Sequence, residues 1–155
     1  MTHGKVVGIF IAQKQGEQTV LVDQVHVVPG SGIEGDRYFN KPANPTGKTN
    51  TGREITLIEL EAIESLRDDA GIPLTPDQTR RNLITSGIAL NDLVGRLFFI
   101  GNIQLRGVRL CEPCQYLADR TDPRILKAMA HRGGLRADII TEGNIHINDT
   151  ITISG

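Results

Sequence analysis

The stretch LFFIGNIQLRGVRLCEPCQYL (97–117) decides the reading of this chain. Leu97 to Ile100 and Ile103 to Val108 are short apolar runs separated by Gly101-Asn102, a turn pair, which predicts a β-hairpin. The second arm runs on to Leu110 and into Cys111-Glu112-Pro113-Cys114. Pro113 cannot sit inside a helix but suits its first position, so a short helix is expected to run toward Leu117 with Cys114 in its first turn. The partial positive charge of a helix start acidifies a cysteine, and Arg109 is close enough in sequence to add to that effect. The thiolate is the form that attacks sulfur or carbonyl and that ligates a soft metal.

The same strand-and-turn pattern extends outward. Val6 to Ala12 reads as a buried strand, Lys14 to Glu17 as a turn around Gly16, and Thr19 to Val28 as a second strand. The apolar phase of that second strand slips from Val20 and Val22 to Val25 and Val27, which predicts a bulge. Pro29 to Gly52 is rich in Gly, Pro, Asn and Thr without apolar periodicity; such a long stretch in a compact domain is usually functional or mobile. Glu54 to Ile58 alternates as a strand. Leu60, Ile63, Leu66 and Ala70 then repeat at helical spacing up to Gly71, with Thr56 and Glu59 as a capping box. Leu83 to Thr85 is expected to form a short strand. Asp122-Pro123 opens a helix that Gly133 stops, with Leu126, Met129 and Ala130 as its apolar stripe. Ala137 to Ile140 and Ile145 to Ile153 supply the last strands. Short strands, glycine turns and a few helices define a mainly-β barrel or sandwich with inserted helices. No βαβ series appears, which argues against thioredoxin-like and doubly wound nucleotide-binding folds.

Length and composition set the frame. A chain of 155 residues is expected to form one domain over 1–155 and needs no disulfide to do so. A formal net charge of -1 gives no general pull toward nucleic acid or membrane. The first residues, MTHGKVVGIFIAQKQ, lack the apolar core and cleavage site of a secretory leader, and no apolar run reaches the roughly 18 residues of a membrane span. A cytoplasmic location with reduced thiols is therefore expected.

In that setting Cys111 and Cys114 admit four readings: inert packing, half of a zinc site, a dithiol redox pair, or cofactor-metal and persulfide chemistry. Zinc is disfavoured because His3, His26, His131 and His146 are scattered with no second paired motif. Spacing alone does not separate the last two. The basic residues comprise 12 Arg against 5 Lys, and Arg37, Arg53, Arg80, Arg81 and Arg132 each adjoin turn residues. As a set they are candidates to hold a shared anionic ligand, since guanidinium suits phosphate and glycine lets the backbone come close. GIEGDRY (32–38) is not a phosphate loop of the GxxxxGK[ST] kind.

Taken in order, GIEGDRY (32–38), GREITLIE (52–59), RRNLITSGIALNDLVG (81–95 with the preceding Arg80), RGVRLCEPCQYL (106–117) and RGGLRADIITEGNIHINDTI (132–151) resemble the MOSC domains. These domains occur at the C-terminus of molybdenum cofactor sulfurases, in amidoxime-reducing enzymes, and alone as small bacterial proteins, the class this chain is most similar to. The resemblance implies a β-barrel like the barrel domain of pyruvate kinase. It implies that Cys114 is the hallmark cysteine, a molybdenum ligand or persulfide carrier, with Cys111 a secondary member of a CxPC variant. It implies that Asp36, Arg37, Arg81 and Asn82 serve a molybdenum cofactor (molybdopterin) or another anionic small molecule, which Arg53, Arg80 and Arg132 of the basic loops are expected to help hold. Tyr38 stands where many relatives have His. No pyridoxal phosphate is expected in this chain, whose partners would be a cysteine desulfurase or a molybdoenzyme, and neither nucleic acid nor membrane. The alternatives are a dithiol redox protein and a non-catalytic partner-binding module.

Overall fold

The computed structural model describes residues 3–39, 53–113 and 115–153. In chain order its strands are β1 (His3–Ile11), β2 (Val20–Leu21), β3 (Gln24–Val28), β4 (Gly32–Ile33), β5 (Ile55–Glu59), β6 (Leu83–Ser86), β7 (Leu97–Ile100), β8 (Ile103–Leu110), β9 (Leu135–Ile139), β10 (Gly143–His146) and β11 (Thr150–Ile153). The α-helices are α1 (Leu60–Ala70), α2 (Gln115–Arg120) and α3 (Ile125–Ala128).

Seven strands close into a barrel in the order β1-β6-β5-β9-β8-β7-β11, and β11 pairs back onto β1 with His3 opposite Thr152. The closure decides between the barrel and the sandwich. Strand β1 serves both sides of the seam: its start pairs with β11, its middle with β6 and its end with β2. Every barrel pairing is antiparallel except β5 with β6, which run parallel with Leu57 opposite Leu83. Helix α1 makes the crossover between them, a single βαβ unit within an otherwise antiparallel barrel.

Side-chain alternation separates two apolar regions. Leu57, Leu83, Phe98, Leu105, Ala137 and Ile151 belong to one fully buried cluster, the barrel core. Ile58 and Ile84, their neighbours in sequence, belong to a second cluster with Ile63 and Leu66 of α1 and with Leu117, Ile125 and Met129. Each such side chain, fully buried, contributes about 1.5–3 kcal/mol relative to exposure.

Three local expectations are corrected. Residues 19–28 are two strands, not one bulged strand: β2 extends the barrel sheet beside β1, whereas β3 joins a small sheet in the order β10-β3-β4. The slip in apolar phase marks the transfer of the chain from one sheet to the other. Thr56 and Glu59 form no capping box. Thr56 lies within β5 with its hydroxyl bonded to Asn82, and Glu59 is the N-cap of α1 without a side-chain cap bond. The helix does end where expected, at Gly71 in the left-handed region (φ 68°). The helix after Pro123 is brief, and its buried stripe is Ile125 and Met129, one turn apart, while Leu126 is 38% exposed and Ala130 is exposed. The chain leaves it through His131, at φ 63°, to reach the cysteine segment.

Candidate cysteine and arginine site

Cys114 lies outside the described residues, so the site is built from what surrounds its segment. Cys111 is a buried free thiol, 1% exposed, and immediately follows β8. Its N–H donates to the Gly134 carbonyl at 2.7 Å, and its own carbonyl accepts from Arg81 Nη2 at 3.1 Å. Arg81 Nε donates to the Gly133 carbonyl at 2.8 Å and Nη1 to that of Thr79 at 3.2 Å. One buried guanidinium thus joins the RRN segment, the cysteine segment and the 131–134 loop. Glu112 makes a second tie, accepting from the His131 N–H at 2.7 Å and lying 3.1 Å from His131 Nδ1.

The glycines of that loop are required by contact. A methyl group on Gly133 would run into the Cys111 carbonyl, and one on Gly134 (φ 112°) into the Leu57 carbonyl of β5. The RGG of the sequence therefore lets three backbones meet beneath the cysteine segment.

The GDR segment attaches to the other side of Arg80-Arg81. Arg37 Nη2 donates to the Arg80 carbonyl at 3.2 Å, and Nη1 to Asp36 Oδ1 at 3.0 Å; both side chains are almost fully buried. Asp36 Oδ1 also accepts from the Ala12 N–H at 3.1 Å, fixing the segment to the end of β1. Tyr38 stacks on the Arg37 guanidinium at 4.6 Å. Arg37 Nε is buried and has no hydrogen-bond partner among the described residues. Beside Arg37 opens a depression of 490 Å³ walled by Gln13, Lys14, Gln15, Gly35 and Asp36.

The remaining expected residues take different places. Asn82 is buried; its Oδ1 accepts from the Thr56 N–H and hydroxyl and its Nδ2 donates to the Phe10 carbonyl, pinning β5 to β1 across the end of β6. Arg80 adopts φ 61°, donates to the Glu17 carbonyl at 2.9 Å and lines a small hollow with Arg120. Arg132 is exposed and lines a separate cavity with Glu59 and Asn91. Arg53 is exposed just ahead of β5 and takes no part in the bonds above. No group of three or more potential metal-ligating His, Cys, Asp or Glu side chains occurs among the described residues.

Two features have no clear signal in the sequence. Glu112 contacts His131 across 19 residues. Glu54 Oε1 accepts from the N–H groups of Gly30 at 2.9 Å and Ile139 at 3.2 Å, tying the β3–β4 turn to β9. Burial pushes the Glu54 carboxyl up to about 7, with Asp138 beside it adding to the rise.

A seven-stranded barrel whose GDR, RRN and cysteine segments are bonded to one another defines a MOSC-type domain. The family model described as MOSC domain matches residues 33–152, and the chain belongs to that family. Solved structures share the fold. The YuaD protein of Bacillus subtilis matches with a TM-score of 0.79 at 19% identity, over 97% of this chain and 95% of that one. YiiM of Geobacillus stearothermophilus matches with a TM-score of 0.74 at 17% identity, over 98% of this chain and 75% of that one. YiiM of Escherichia coli matches with a TM-score of 0.65 at 19% identity, over all of this chain and 70% of that one. Among curated proteins none matches the sequence. No helix among the described residues is long and apolar enough to cross a membrane.

Proposed function

We propose that this MOSC domain binds the molybdenum cofactor or carries sulfur, with the Cys114 thiolate as metal ligand or persulfide carrier. The observation that carries the reading is the line of hydrogen bonds Arg37–Arg80 and Arg81–Cys111, which gathers segments 36–37, 80–81 and 111–112 from distant parts of the chain. The GDR segment also borders an open depression that bears Lys14 and the buried Arg37 guanidinium, whose Nε has no partner among the described residues. That donor set fits an anionic group such as the cofactor's phosphate, and 490 Å³ falls within the roughly 300–1,000 Å³ of ligand pockets. Arg37 and Lys14 would hold the anion; the Arg80 carbonyl would fix Arg37, and Arg81 would set the cysteine segment in place. When bound, the cofactor supplies a thiophilic redox metal. The burial of Cys111 weighs against the dithiol alternative, which needs that thiol to meet an external partner.

Two loading experiments test this. After incubation with molybdenum cofactor, wild type should retain the metal and Cys114→Ser should lose most of it; equal, negligible metal in both would remove the cofactor arm. After incubation with a cysteine desulfurase and cysteine, a persulfide-specific label should mark Cys114; its failure to do so would remove the carrier arm.

A further inference from the structure

Against the 131–134 loop lies a second cavity of 190 Å³, lined by Glu59, Ala62, Ala89, Asn91, His131 and Arg132. Its walls are braced. Asn91 Nδ2 donates to the His131 carbonyl at 2.9 Å, and Glu59 Oε2 accepts from the Leu90 N–H at 3.0 Å. His131 is held by Glu112 in the left-handed conformation. With these bonds made, Glu59 Oε1 and Asn91 Oδ1 remain as acceptors with no partner among the described residues. The Arg132 guanidinium likewise makes no hydrogen bond or ion pair with a described residue, although Glu59 lines the same cavity.

We infer that this cavity binds a small zwitterion of the α-amino acid class, its carboxylate on Arg132 and its ammonium on Glu59 and Asn91. The charges select that class. A simple anion would meet the Glu59 carboxylate, and a simple cation would meet Arg132; a molecule with both charges a few ångströms apart satisfies each group. Size agrees: 190 Å³ lies below the roughly 300–1,000 Å³ typical of pockets for drug-sized ligands, so the occupant is small. The site shares its loop with the cysteine segment through the Gly134–Cys111 hydrogen bond but requires no thiol. It goes beyond the proposed function and can stand or fall separately from it.

The test is an amide NMR titration of the full chain with L-alanine, with acetate and methylamine as single-charge probes. L-Alanine should shift the amides of Ala62, Asn91 and Gly134 saturably at millimolar concentration. Acetate and methylamine should bind at least about tenfold more weakly. Arg132→Ala removes an exposed side chain, and Glu59→Gln preserves an acceptor for Leu90. Each should weaken L-alanine about tenfold, whereas Cys114→Ser should leave it unchanged. No saturable shift up to about 50 mM, acetate binding as well as L-alanine, or binding unaffected by both cavity variants would overturn the inference.

Discussion

Arg81 donates from Nη2 to the carbonyl of Cys111 at 3.1 Å, across 30 residues of sequence. The same guanidinium reaches Gly133 and Thr79, so a cation that the motif offers as an anion ligand is engaged with three backbone carbonyls. Its charge still acts on the cysteine segment, and its geometry decides where that segment sits. Arg81→Lys keeps the charge but replaces a planar fork with a single ammonium that cannot serve three carbonyls. Urea denaturation should show a loss of about 2–3 kcal/mol, and Arg81→Ala should lose more because three buried carbonyls are left without their donor. Wild-type stability in both variants would contradict this role.

Gly134 sits where a methyl group would strike the Leu57 carbonyl, at a φ of 112°. Gly16 has a positive φ too, but open space around it. Gly134→Ala is therefore expected to cost more than about 3 kcal/mol or to prevent folding, and Gly16→Ala about 1 kcal/mol. Thermal melts of the two variants, side by side, measure the contrast. Equal losses would mean that backbone strain alone governs both sites.

Glu54 gives the stability a pH dependence of unusual sign. Its folded pKa is raised from 4.5 to about 7, so between these values the folded protein keeps a proton that the unfolded chain has released. Stability is then highest on the acid side, falls as pH rises from about 4.5 to about 7, and levels off above. Because the carboxyl is partly exposed, solvent screening reduces the size of this term to about 1–2 kcal/mol. Glu54→Gln should flatten that slope in denaturation midpoints taken across the range; an unchanged slope would show that another group sets it.

The barrel was largely legible because its strands announce themselves locally. Val6–Ala12, Glu54–Ile58 and the hairpin around Gly101-Asn102 fall close to β1, β5 and β7–β8, and Gly71 ends α1 as its conformation requires. What was hidden depends on distant partners. The split of residues 19–28 between two sheets is decided by β1 on one side and β10 on the other. The stripe after Pro123 was misphased because Ile125 in the first turn, not Ala130, faces Leu117 and Met129 in the outer cluster. The site shows the same limit. GDR, RRN and the cysteine motif were visible as pieces, but whether an arginine faces a ligand or a carbonyl is set by contacts such as Arg81 with Gly133, 52 residues away.

The proposed chemistry depends on an ionised, reachable thiol at position 114, and the rate of alkylation against pH reports it directly. In Cys111→Ser, which leaves one thiol, iodoacetamide should label Cys114 with a midpoint clearly below the free-cysteine value of about 8.5. A midpoint at or above that value, or a thiol that resists labelling in the folded protein, would contradict the account.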